Sequence, residues 1–335
     1  MKVLILRFSS IGDIILTTPV VRCLKQQMPD TEIHFCTKRG YASLVQHNPY
    51  IDQCHYLDGS LWALVRRLQA ERYDLIIDLH NNLRTSLIKA ALLTKTYTVN
   101  KLNFRKWLYV RWKWNVMPDE HIVDRYLATV QPLGVVEDGL GLDCFLADQD
   151  LIDKSQLPLT HQSGYVAYAI GGQHTTKRLP AARMIELCKK IDAPIILLGG
   201  AEDRVAGDAL VQALGNRLIY NACGLYSLNQ SASLLRQARV VFSHDTGLMH
   251  MAAALKKTVY SIWGSTTPQL GMYPYKTRYV LIENKGLPCR PCSKIGHNQC
   301  PQKHFRCMND LKFDSVESLN LPVWPETKKL VQLPQ

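Results

Sequence analysis

The sequence predicts an α/β protein made of two doubly wound halves, each built on a parallel sheet. Three observations support this prediction: short apolar runs alternate with helical runs, small or polar turns follow the apolar runs, and the alternation weakens once near the middle of the chain. Alternation at this spacing is typical of βαβ units and a parallel sheet. The weak stretch, residues 134–163, is rich in Asp, Gly, Gln and Pro. We therefore predict a first domain of residues 1–155 and a second domain of residues 160–335.

The first half opens on an apolar run, residues 2–8, that stops at a polar turn containing Gly12. The other strands predicted in this half are residues 32–36, 75–79 and 96–99. The predicted helices are residues 14–28, 60–71 and 85–93, and Pro29 ends the first of them. Asp13 follows the first turn, so we expect it at the carboxyl edge of the sheet, where ligands of such folds bind.

The second half repeats the alternation. Its predicted strands are residues 165–170, 194–198, 217–220, 240–243 and 258–262. Its predicted helices are residues 181–191, 204–214, 229–238 and 247–255. Four loops of small and polar residues follow strands of this half and are expected on one edge of its sheet: residues 171–180, 199–203, 243–250 and 263–268.

These loops carry groups that suit a nucleotide bound through its phosphates and ribose. The first loop offers backbone amides, hydroxyls and the cations Lys177 and Arg178, which suit a diphosphate. The second places Glu202 after a glycine turn, where an acid can accept hydrogen bonds from ribose hydroxyls. The third runs from Asp245 through Gly247 into a helix whose N-terminal N–H groups and dipole favour a phosphate.

The composition fits a globular protein with a large core, because 47% of the 335 residues are hydrophobic and 20% are charged. The net charge of +12 favours an anionic partner or reflects a surface that is simply basic. No nucleic-acid-binding motif accompanies the charge, so nucleic acid is not expected as a partner. No apolar stretch approaches the roughly twenty residues of a membrane helix, and no signal peptide is apparent, so a cytoplasmic location is expected.

Five segments resemble glycosyltransferase family 9, the ADP-heptose:lipopolysaccharide heptosyltransferases and their relatives. In chain order they read RFSSIGDIILTTP, GGQHTTKRLP, GGAED, SHDTGLMHMAAAL and GSTTP. The resemblance implies the GT-B fold, with two Rossmann-like domains facing across a cleft. It also implies an inverting, metal-independent transfer of heptose from ADP-heptose to the inner core of lipopolysaccharide, with no cofactor required. The implied partners are a nucleotide-sugar donor and a lipid-anchored saccharide, met peripherally at the cytoplasmic face of the inner membrane.

The resemblance also implies a role for each matching residue. Asp13 is expected to be the general base, and the alternative is that it caps a helix N-terminus. Lys177 is expected to bind the diphosphate rather than to be a solvated charge, and Glu202 is expected to hold the ribose. The other residues expected on the donor side are Thr175, Thr176, Asp245, Thr246, Gly247, Leu248, His250 and Thr267. Asn81 and Arg84 are expected on the acceptor side, where a guanidinium suits a phosphate or carboxylate.

Residues 101–114 interleave cations with aromatic residues. Such a mixture suits the surface of an anionic membrane, where a lipid-anchored acceptor would lie. An amphipathic helix packed on its own domain is the competing interpretation. The first interpretation also accounts for part of the basic charge without nucleic acid.

A cysteine cluster lies near the end of the chain, within residues 289–307 of the second predicted domain. Its members are Cys289, Cys292, Cys300 and Cys307. The close first pair and the nearby histidines have the character of zinc ligands, whereas the wider second spacing does not match a zinc ribbon or finger. A structural zinc site and reduced thiols packed in a loop both remain open.

Other functions compete with heptose transfer. A nucleotide-sugar-binding protein without turnover would not need Asp13, whereas a transferase for a different donor sugar would keep the same site. An NAD-dependent dehydrogenase requires a G-x-G-x-x-G turn after the first strand, which residues 9–13 lack. A zinc-bearing nucleic-acid protein rests only on the charge and the cysteines.

Overall fold

The computed structural model of the chain describes residues 1–215 and 218–317, so the last 18 residues of the second predicted domain lie outside the described residues. The described strands are β1 (Lys2–Leu6), β2 (Glu32–Lys38), β3 (Gln53–Leu57), β4 (Leu75–Asp78), β5 (Thr96–Thr98), β6 (Val166–Ala169), β7 (Ile195–Leu198), β8 (Ile219–Asn221), β9 (Val240–His244), β10 (Thr258–Trp263) and β11 (Tyr279–Glu283). The described α-helices are α1 (Ile11–Ile15), α2 (Thr18–Gln27), α3 (Leu61–Ala70), α4 (Leu83–Leu92), α5 (Asn103–Trp112), α6 (Ile122–Leu127), α7 (Leu159–Gln162), α8 (Ala181–Lys190), α9 (Arg204–Leu214), α10 (Leu228–Gln237), α11 (Gly247–Ala254), α12 (Arg306–Asn309) and α13 (Asp314–Glu317).

The chain forms two compact units. The first consists of Met1–Asn103 and Met117–Ala147, and the second of Phe104–Val116 and the chain from Asp148 onward. Nearly all of α5 therefore belongs to the second unit, although it interrupts the first along the sequence. Within the described residues, no helix combines the length and the apolar character needed to cross a membrane.

The sheet of the first unit has the strand order β3-β2-β1-β4-β5, and every neighbouring pair is parallel. Chain order reverses at the central strand β1, so the loops after β1 and β4 leave the carboxyl edge in opposite directions. Ligands of doubly wound sheets bind at such a reversal. Asp13 follows β1, while Asn81 and Arg84 follow β4, which places these three predicted residues beside the reversal.

The sheet of the second unit has the order β11-β10-β9-β6-β7-β8 and is also parallel throughout its described strands. Its chain order reverses between β9 and β6. The loop carrying Lys177 follows β6, and the loop carrying Asp245 follows β9. The prediction of two parallel α/β sheets is therefore confirmed, and each sheet brings predicted site residues to its reversal point.

Local sequence explains where several helices begin. Ser60, Asn82 and Ser227 precede α3, α4 and α10, and each side-chain oxygen accepts a hydrogen bond from the N–H three residues on. Such N-caps satisfy one of the backbone donors that a helix leaves unpaired at its start.

The predicted single helix over residues 14–28 is wrong in one respect. The structure divides it into α1, which ends at Ile15, and α2, which begins at Thr18 with a proline in its first turn. Pro19 has no N–H to donate to the carbonyl of Ile15, so a continuous helix would lose a hydrogen bond there. The break makes α1 a short helix that carries Asp13 near the end of β1.

Candidate active site

Asp13 is the third residue of α1 and is held by donors on both carboxylate oxygens. The N–H and hydroxyl of Ser10 donate to Asp13 Oδ2 over 3.1 and 2.8 Å. Arg7 Nη2 lies 2.6 Å from Asp13 Oδ1. The N-cap residue is Ser10 rather than Asp13, but Asp13 completes a capping box with it and so also stabilises the start of α1. The Asp13 side chain remains 24% exposed, which leaves a well-oriented carboxylate within reach of a ligand.

Arg7, which the sequence reasoning did not identify, anchors this carboxylate. Its guanidinium is buried and donates to the carbonyls of Ser9 and Leu79 and to the Tyr126 hydroxyl. Burial works to lower the pKa of Arg7, but the electrostatic effects of Tyr126 and Asp13 outweigh it and raise the pKa. The guanidinium is therefore a fixed positive charge beside Asp13.

The loop after β4 is organised by Asp78, whose side chain is buried. Its Oδ1 accepts hydrogen bonds from the backbone N–H groups of His80 and Asn81 over 3.0 and 2.7 Å. Its Oδ2 lies 2.8 Å from Lys89 Nζ. Asn81 Nδ2 donates to the carbonyl of Val99 over 3.0 Å, so the amide of this predicted acceptor residue helps to fix the loop.

Arg84 is exposed at the start of α4. With Lys38 and Arg39 it lines a surface cavity of about 390 Å³. Asp58 lines the same cavity and lies 3.5 Å from Arg39, so three cations and one carboxylate leave an excess of positive charge that attracts anions. This placement agrees with a role in holding a phosphate or carboxylate.

His80 is a second residue that the sequence reasoning passed over. Its ring makes an edge-to-face contact with Phe8, at a centroid distance of 5.6 Å. Burial, followed by the charge of Arg7, lowers the pKa of His80 to about 4. The ring is therefore neutral at physiological pH and adds no further positive charge near Arg7.

In the second unit, three loops converge on Asp245. Lys177 Nζ lies 2.7 Å from Asp245 Oδ2, and the Thr266 hydroxyl donates to the same oxygen over 2.8 Å. Lys177 and Asp245 come from the loops after β6 and β9, and Thr266 comes from the loop after β10. The Lys177 side chain is only 16% exposed and that of Asp245 9%, so the pair is largely screened from water.

Helix α11 begins directly beside this ion pair. Thr246 is its N-cap residue, but its side chain makes no capping hydrogen bond. The first N–H groups of α11, beginning at Gly247 and Leu248, are therefore not satisfied by a side-chain cap and point toward the loop, as in anion-binding helix termini. Thr267 Oγ1, on the neighbouring loop, is buried and has no hydrogen-bond partner within the described residues. Both features suit a bound phosphate or sugar hydroxyl.

A family model described as "Glycosyltransferase family 9 (heptosyltransferase)" matches residues 61–304. The chain belongs to glycosyltransferase family 9. The family resemblance and the enzyme class predicted from the sequence are therefore confirmed.

Relatives within family 9 cover most of the chain. Lipopolysaccharide heptosyltransferase 1 of Pseudomonas aeruginosa is 26% identical over 93% of this chain and 92% of its own length. The structure of a family 9 glycosyltransferase from Veillonella parvula has a TM-score of 0.70 at 20% identity, covering 84% of this chain and 86% of its own. An E. coli heptosyltransferase with ADP-2-deoxy-2-fluoro heptose has a TM-score of 0.66 at 21% identity, covering 88% and 96%. These likenesses show a shared fold.

The two acidic residues in the loop after β7 differ in their exposure to solvent. Glu202, the residue expected to hold the ribose, is exposed on a short 3₁₀ turn. Asp203 is buried, and its carboxylate accepts hydrogen bonds from the Gly200 N–H and from Arg178, both over 3.0 Å. A Cβ at Gly199 would lie 2.7 Å from Asp203 Oδ2, so that position must be glycine. Sequence reasoning missed Asp203 as the residue that joins these loops.

Thr175 and Thr176 occupy contrasting positions in the loop after β6. Thr175 is exposed, whereas Thr176 is buried. The Thr176 hydroxyl donates to the carbonyl of His297 and accepts hydrogen bonds from the His297 N–H and the Ser265 hydroxyl, over 2.8–2.9 Å. A hydroxyl has one proton and two lone pairs, so this group is fully used within the protein. Thr176 thus holds the site loop against the cysteine segment.

The cysteine segment packs directly against the site loops. The Cys292 N–H donates to the carbonyl of Ser265 over 2.8 Å. Arg290 donates to the carbonyls of Gly264 and Thr266 over 2.6 and 2.9 Å. Cys289 Sγ lies 4.0 Å from His304 Nε2. The segment therefore supports the loop after β10, whether or not its thiols hold an ion.

The thiols of the segment form no disulfide. Burial raises the pKa of Cys292 to about 11, and burial together with the charge of Cys292 raises the pKa of Cys307 to about 12. In the absence of a metal ion both thiols are protonated. Zinc binding by Cys289, Cys292, Cys300 and Cys307 stays a prediction.

The second unit has a buried histidine at the end of β9, His244, and another on α11, His250. His250 lies on the buried side of α11. His244 Nε2 accepts a hydrogen bond from the Leu179 N–H over 3.0 Å, which joins the ends of β9 and the loop after β6. Burial lowers the pKa of His244 to about 4, so it is neutral and serves as an acceptor.

Acidification is expected to weaken the fold through His244. Its folded pKa lies below the ordinary value of 6.5, so the unfolded chain takes up the proton first, and stability present above pH 6.5 is lost as the pH falls toward 4. Between pH 7 and pH 4.5, His244→Gln should reduce this loss by about 2–3 kcal/mol, because Gln still accepts from Leu179 but does not titrate. Urea unfolding of the wild type and of His244→Gln at pH 7 and pH 4.5 measures this loss of stability. An equal loss in both proteins would contradict the conclusion that His244 causes it.

Proposed function

We propose that this chain transfers heptose from ADP-heptose to the inner core of lipopolysaccharide, with inversion at the anomeric carbon and without a metal ion. The observation that carries the proposal is the convergence of Lys177, Asp245 and the uncapped start of α11 at the reversal point of the second sheet. A solved relative with a similar fold holds an ADP-heptose analogue, which supports the choice of donor.

Asp13 is proposed as the general base. The acceptor hydroxyl gives its proton to the Asp13 carboxylate as its oxygen bonds to the anomeric carbon, and the bond from that carbon to the ADP oxygen breaks. Attack opposite the leaving group inverts the anomeric centre. Arg7 and Ser10 hold the carboxylate in one orientation, which keeps the proton acceptor in place throughout the reaction.

Departure of ADP leaves negative charge on the diphosphate. Lys177 and the N–H groups at the start of α11 are proposed to stabilise that charge, with the Thr267 hydroxyl as a further donor. Asp245 is proposed to orient both Lys177 and the donor sugar. Lys177 and the N–H groups of α11 can take the place of a metal ion beside the diphosphate, which supports a metal-independent reaction.

On the acceptor side, the cavity lined by Lys38, Arg39 and Arg84 is proposed to bind the anionic groups of the saccharide. Arginine recognises phosphate and carboxylate through paired hydrogen bonds. The positive charge that remains after Asp58 pairs with Arg39 favours an anionic acceptor over a neutral sugar.

The decisive experiment is transfer by the purified protein, with ADP-heptose and ADP-glucose offered separately to heptose-free lipopolysaccharide core. We expect heptose transfer at the same rate with and without EDTA, and NMR of the product should show the inverted anomer. Faster transfer of glucose would favour a different donor sugar. Tight ADP binding with no transfer from either donor would favour a binding protein without turnover.

We further propose that the protein works at an anionic membrane surface through α5 and the residues after it. None of the helix residues is buried. The aromatic side chains are unusually exposed for their size: Phe104 71%, Trp107 52%, Trp112 53% and Trp114 64%. Arg105 and Arg111 lie among them on the same short helix. The competing interpretation, a helix packed by an apolar face, fits these exposures poorly, because packing would bury the aromatic rings.

The membrane proposal predicts salt-sensitive binding to vesicles that contain phosphatidylglycerol. Arg105→Gln with Arg111→Gln should weaken binding roughly 30-fold, because each cation near an anionic surface contributes about 1 kcal/mol. Trp107→Ser should weaken it at all salt concentrations, since the loss is apolar. Trp62→Ser is the matched control, because Trp62 is 59% exposed on α3 of the first unit. Sedimentation with vesicles measures all four proteins, and equal binding by all would contradict the proposal.

A further inference from the structure

A cluster of metal-ligand side chains lies in the first unit, among residues to which the proposed transfer gives no role. His34 is on β2, His55 is on β3, and Glu71 follows the last residue of α3. One ligand atom from each lies within 4.8 Å of the other two. The two histidines are buried, and His34 Nδ1 lies 3.0 Å from His55 Nε2. Two nitrogens bound to one zinc ion at about 2.0–2.1 Å come to this separation when they lie near a right angle.

Glu32 sets the tautomer of His34. His34 Nε2 lies 2.8 Å from Glu32 Oε1. A carboxylate accepts from an imidazole N–H, and a neutral ring with its proton on Nε2 offers the lone pair of Nδ1 to an ion. A histidine that binds a metal through one ring nitrogen usually donates the N–H of its other ring nitrogen to a carboxylate. Glu32 therefore prepares His34 Nδ1 as a ligand.

Two groups face His34 Nδ1 inside the cluster, the Nε2 atom of His55 and the hydroxyl of Tyr73. The Tyr73 hydroxyl lies 2.9 Å from His34 Nδ1 and 3.1 Å from His55 Nε2. His34 Nδ1 has one lone pair, yet both neighbours approach it at hydrogen-bond distance. One set of protons cannot satisfy all three contacts, whereas an ion between the nitrogens would use both lone pairs.

We propose that His34, His55 and Glu71 bind a divalent first-row cation, with Zn²⁺ the best match to two imidazoles and a carboxylate. A surface cavity of about 490 Å³, lined by both His55 and Glu71, gives the ion a path from solvent. Lys2 Nζ, 3.0 Å from Glu71 Oε2, holds the carboxylate in place when no ion is bound. This site is independent of the proposed transferase chemistry.

The bound ion would tie together two strands and the end of a helix. It would link β2, β3 and the end of α3 beside the core cluster that Leu64 and Leu68 of α3 form with Cys36 of β2 and with Tyr73. A ligand that binds only the folded chain raises its apparent stability, and the gain grows with the logarithm of the ligand concentration once that concentration exceeds Kd. The expected consequence is a thermal midpoint that rises with added zinc.

The test is titration of the full-length protein with Zn²⁺ alone, followed by calorimetry and by thermal unfolding. His55→Asn and Glu71→Gln should each weaken binding at this site about tenfold or more. They should also make the zinc-dependent rise in the midpoint smaller, so that about tenfold more zinc or more is needed for the same rise. His47→Asn, which removes an exposed histidine of the same unit, should bind zinc as the wild type does.

Two further measurements keep the result unambiguous. Because the thiols of the second unit can also bind zinc, the titration is repeated with Cys289→Ser and Cys292→Ser combined, which should keep the histidine site. Co²⁺ bound there should show d–d absorption without thiolate charge transfer. Circular dichroism without metal establishes that each variant folds, and Glu71→Gln serves if His55→Asn does not. Unchanged zinc affinity in Glu71→Gln and in a folded His55→Asn would overturn the proposal and leave a hydrogen-bonded His–His–Tyr cluster.

Discussion

Asp13→Asn is expected to lower the single-turnover rate of heptose transfer roughly 10²–10⁴-fold, the contribution typical of general base catalysis. The amide keeps the size of the carboxylate and can still accept a hydrogen bond from Arg7, but it cannot take the proton of the acceptor hydroxyl. ADP affinity should stay unchanged, because the donor loops lie in the other unit of the chain. Rapid-quench transfer and calorimetry with ADP measure the two quantities separately.

Asp124→Asn is the matched control for this variant. Asp124 occupies the third position of α6 and accepts from the His121 N–H over 3.0 Å, just as Asp13 accepts from Ser10 at the start of α1. Both variants lose a helix-start carboxylate, and Asp13→Asn also leaves the buried Arg7 without its charged partner, so it should cost more stability than Asp124→Asn. Only Asp13→Asn should lose transfer. Full activity in Asp13→Asn would reduce Asp13 to a residue that stabilises α1 and Arg7. Asp13 precedes the span matched by the family model, so the experiment decides its role independently of that match.

The sequence predicted the parallel sheets and the site loops because one physical rule connects them. Parallel strands end at the same edge, so polar loops after successive strands share that edge. From this rule, the sequence alone predicts that Lys177, Asp245 and Thr267 lie at one edge of the second sheet. It could not predict that Lys177 and Thr266 both contact Asp245 Oδ2, because side-chain pairing between loops depends on the full backbone.

The elements that the sequence reasoning missed differ in the strength of their local signals. β3 reads QCHYL and β11 reads YVLIE, and both lie at sheet edges where burial is incomplete. β3 lacks the apolar run that identifies central strands such as β1, whereas β11 contains such a run, and the sequence analysis did not include it. The break before α2 did have a signal, since Pro19 marks it. The sequence nevertheless predicts one long helix over residues 14–28, because the apolar pattern continues on both sides of Pro19.

The buried polar residues were harder still to foresee. Arg7 and Asp203 are buried and hold site loops through hydrogen bonds. In the sequence, neither can be distinguished from a charged residue at the surface. Thr176 hydrogen-bonds His297, which is 121 residues later. Nothing local in the chain indicates such a contact, so its function as a support for the loop follows only from the structure.

Replacing the two partners of the Lys177–Asp245 pair is expected to change ADP binding differently. Lys177→Met should weaken ADP binding about 10–100-fold, the effect of losing one charged hydrogen bond to phosphate. Asp245→Asn should leave ADP affinity equal or higher, because the Lys177 charge is then no longer neutralised by a carboxylate 2.7 Å away. Both variants should lower kcat/KM for the donor roughly 10²–10³-fold, since each removes part of the electrostatic support for the leaving group and sugar.

This contrast separates a catalytic ion pair from a structural one. Each single variant leaves a buried charge without its partner, which typically destabilises a protein by about 3–5 kcal/mol, so both should unfold at lower temperature. If the pair only stabilised the fold, both variants would bind ADP as the wild type does under conditions in which they stay folded. Lys189→Met, at an exposed position on α8, controls for the loss of a positive charge in the same unit and should bind ADP normally. Opposite changes in ADP affinity, with transfer lost in both, would place Lys177 on the diphosphate and Asp245 on the sugar.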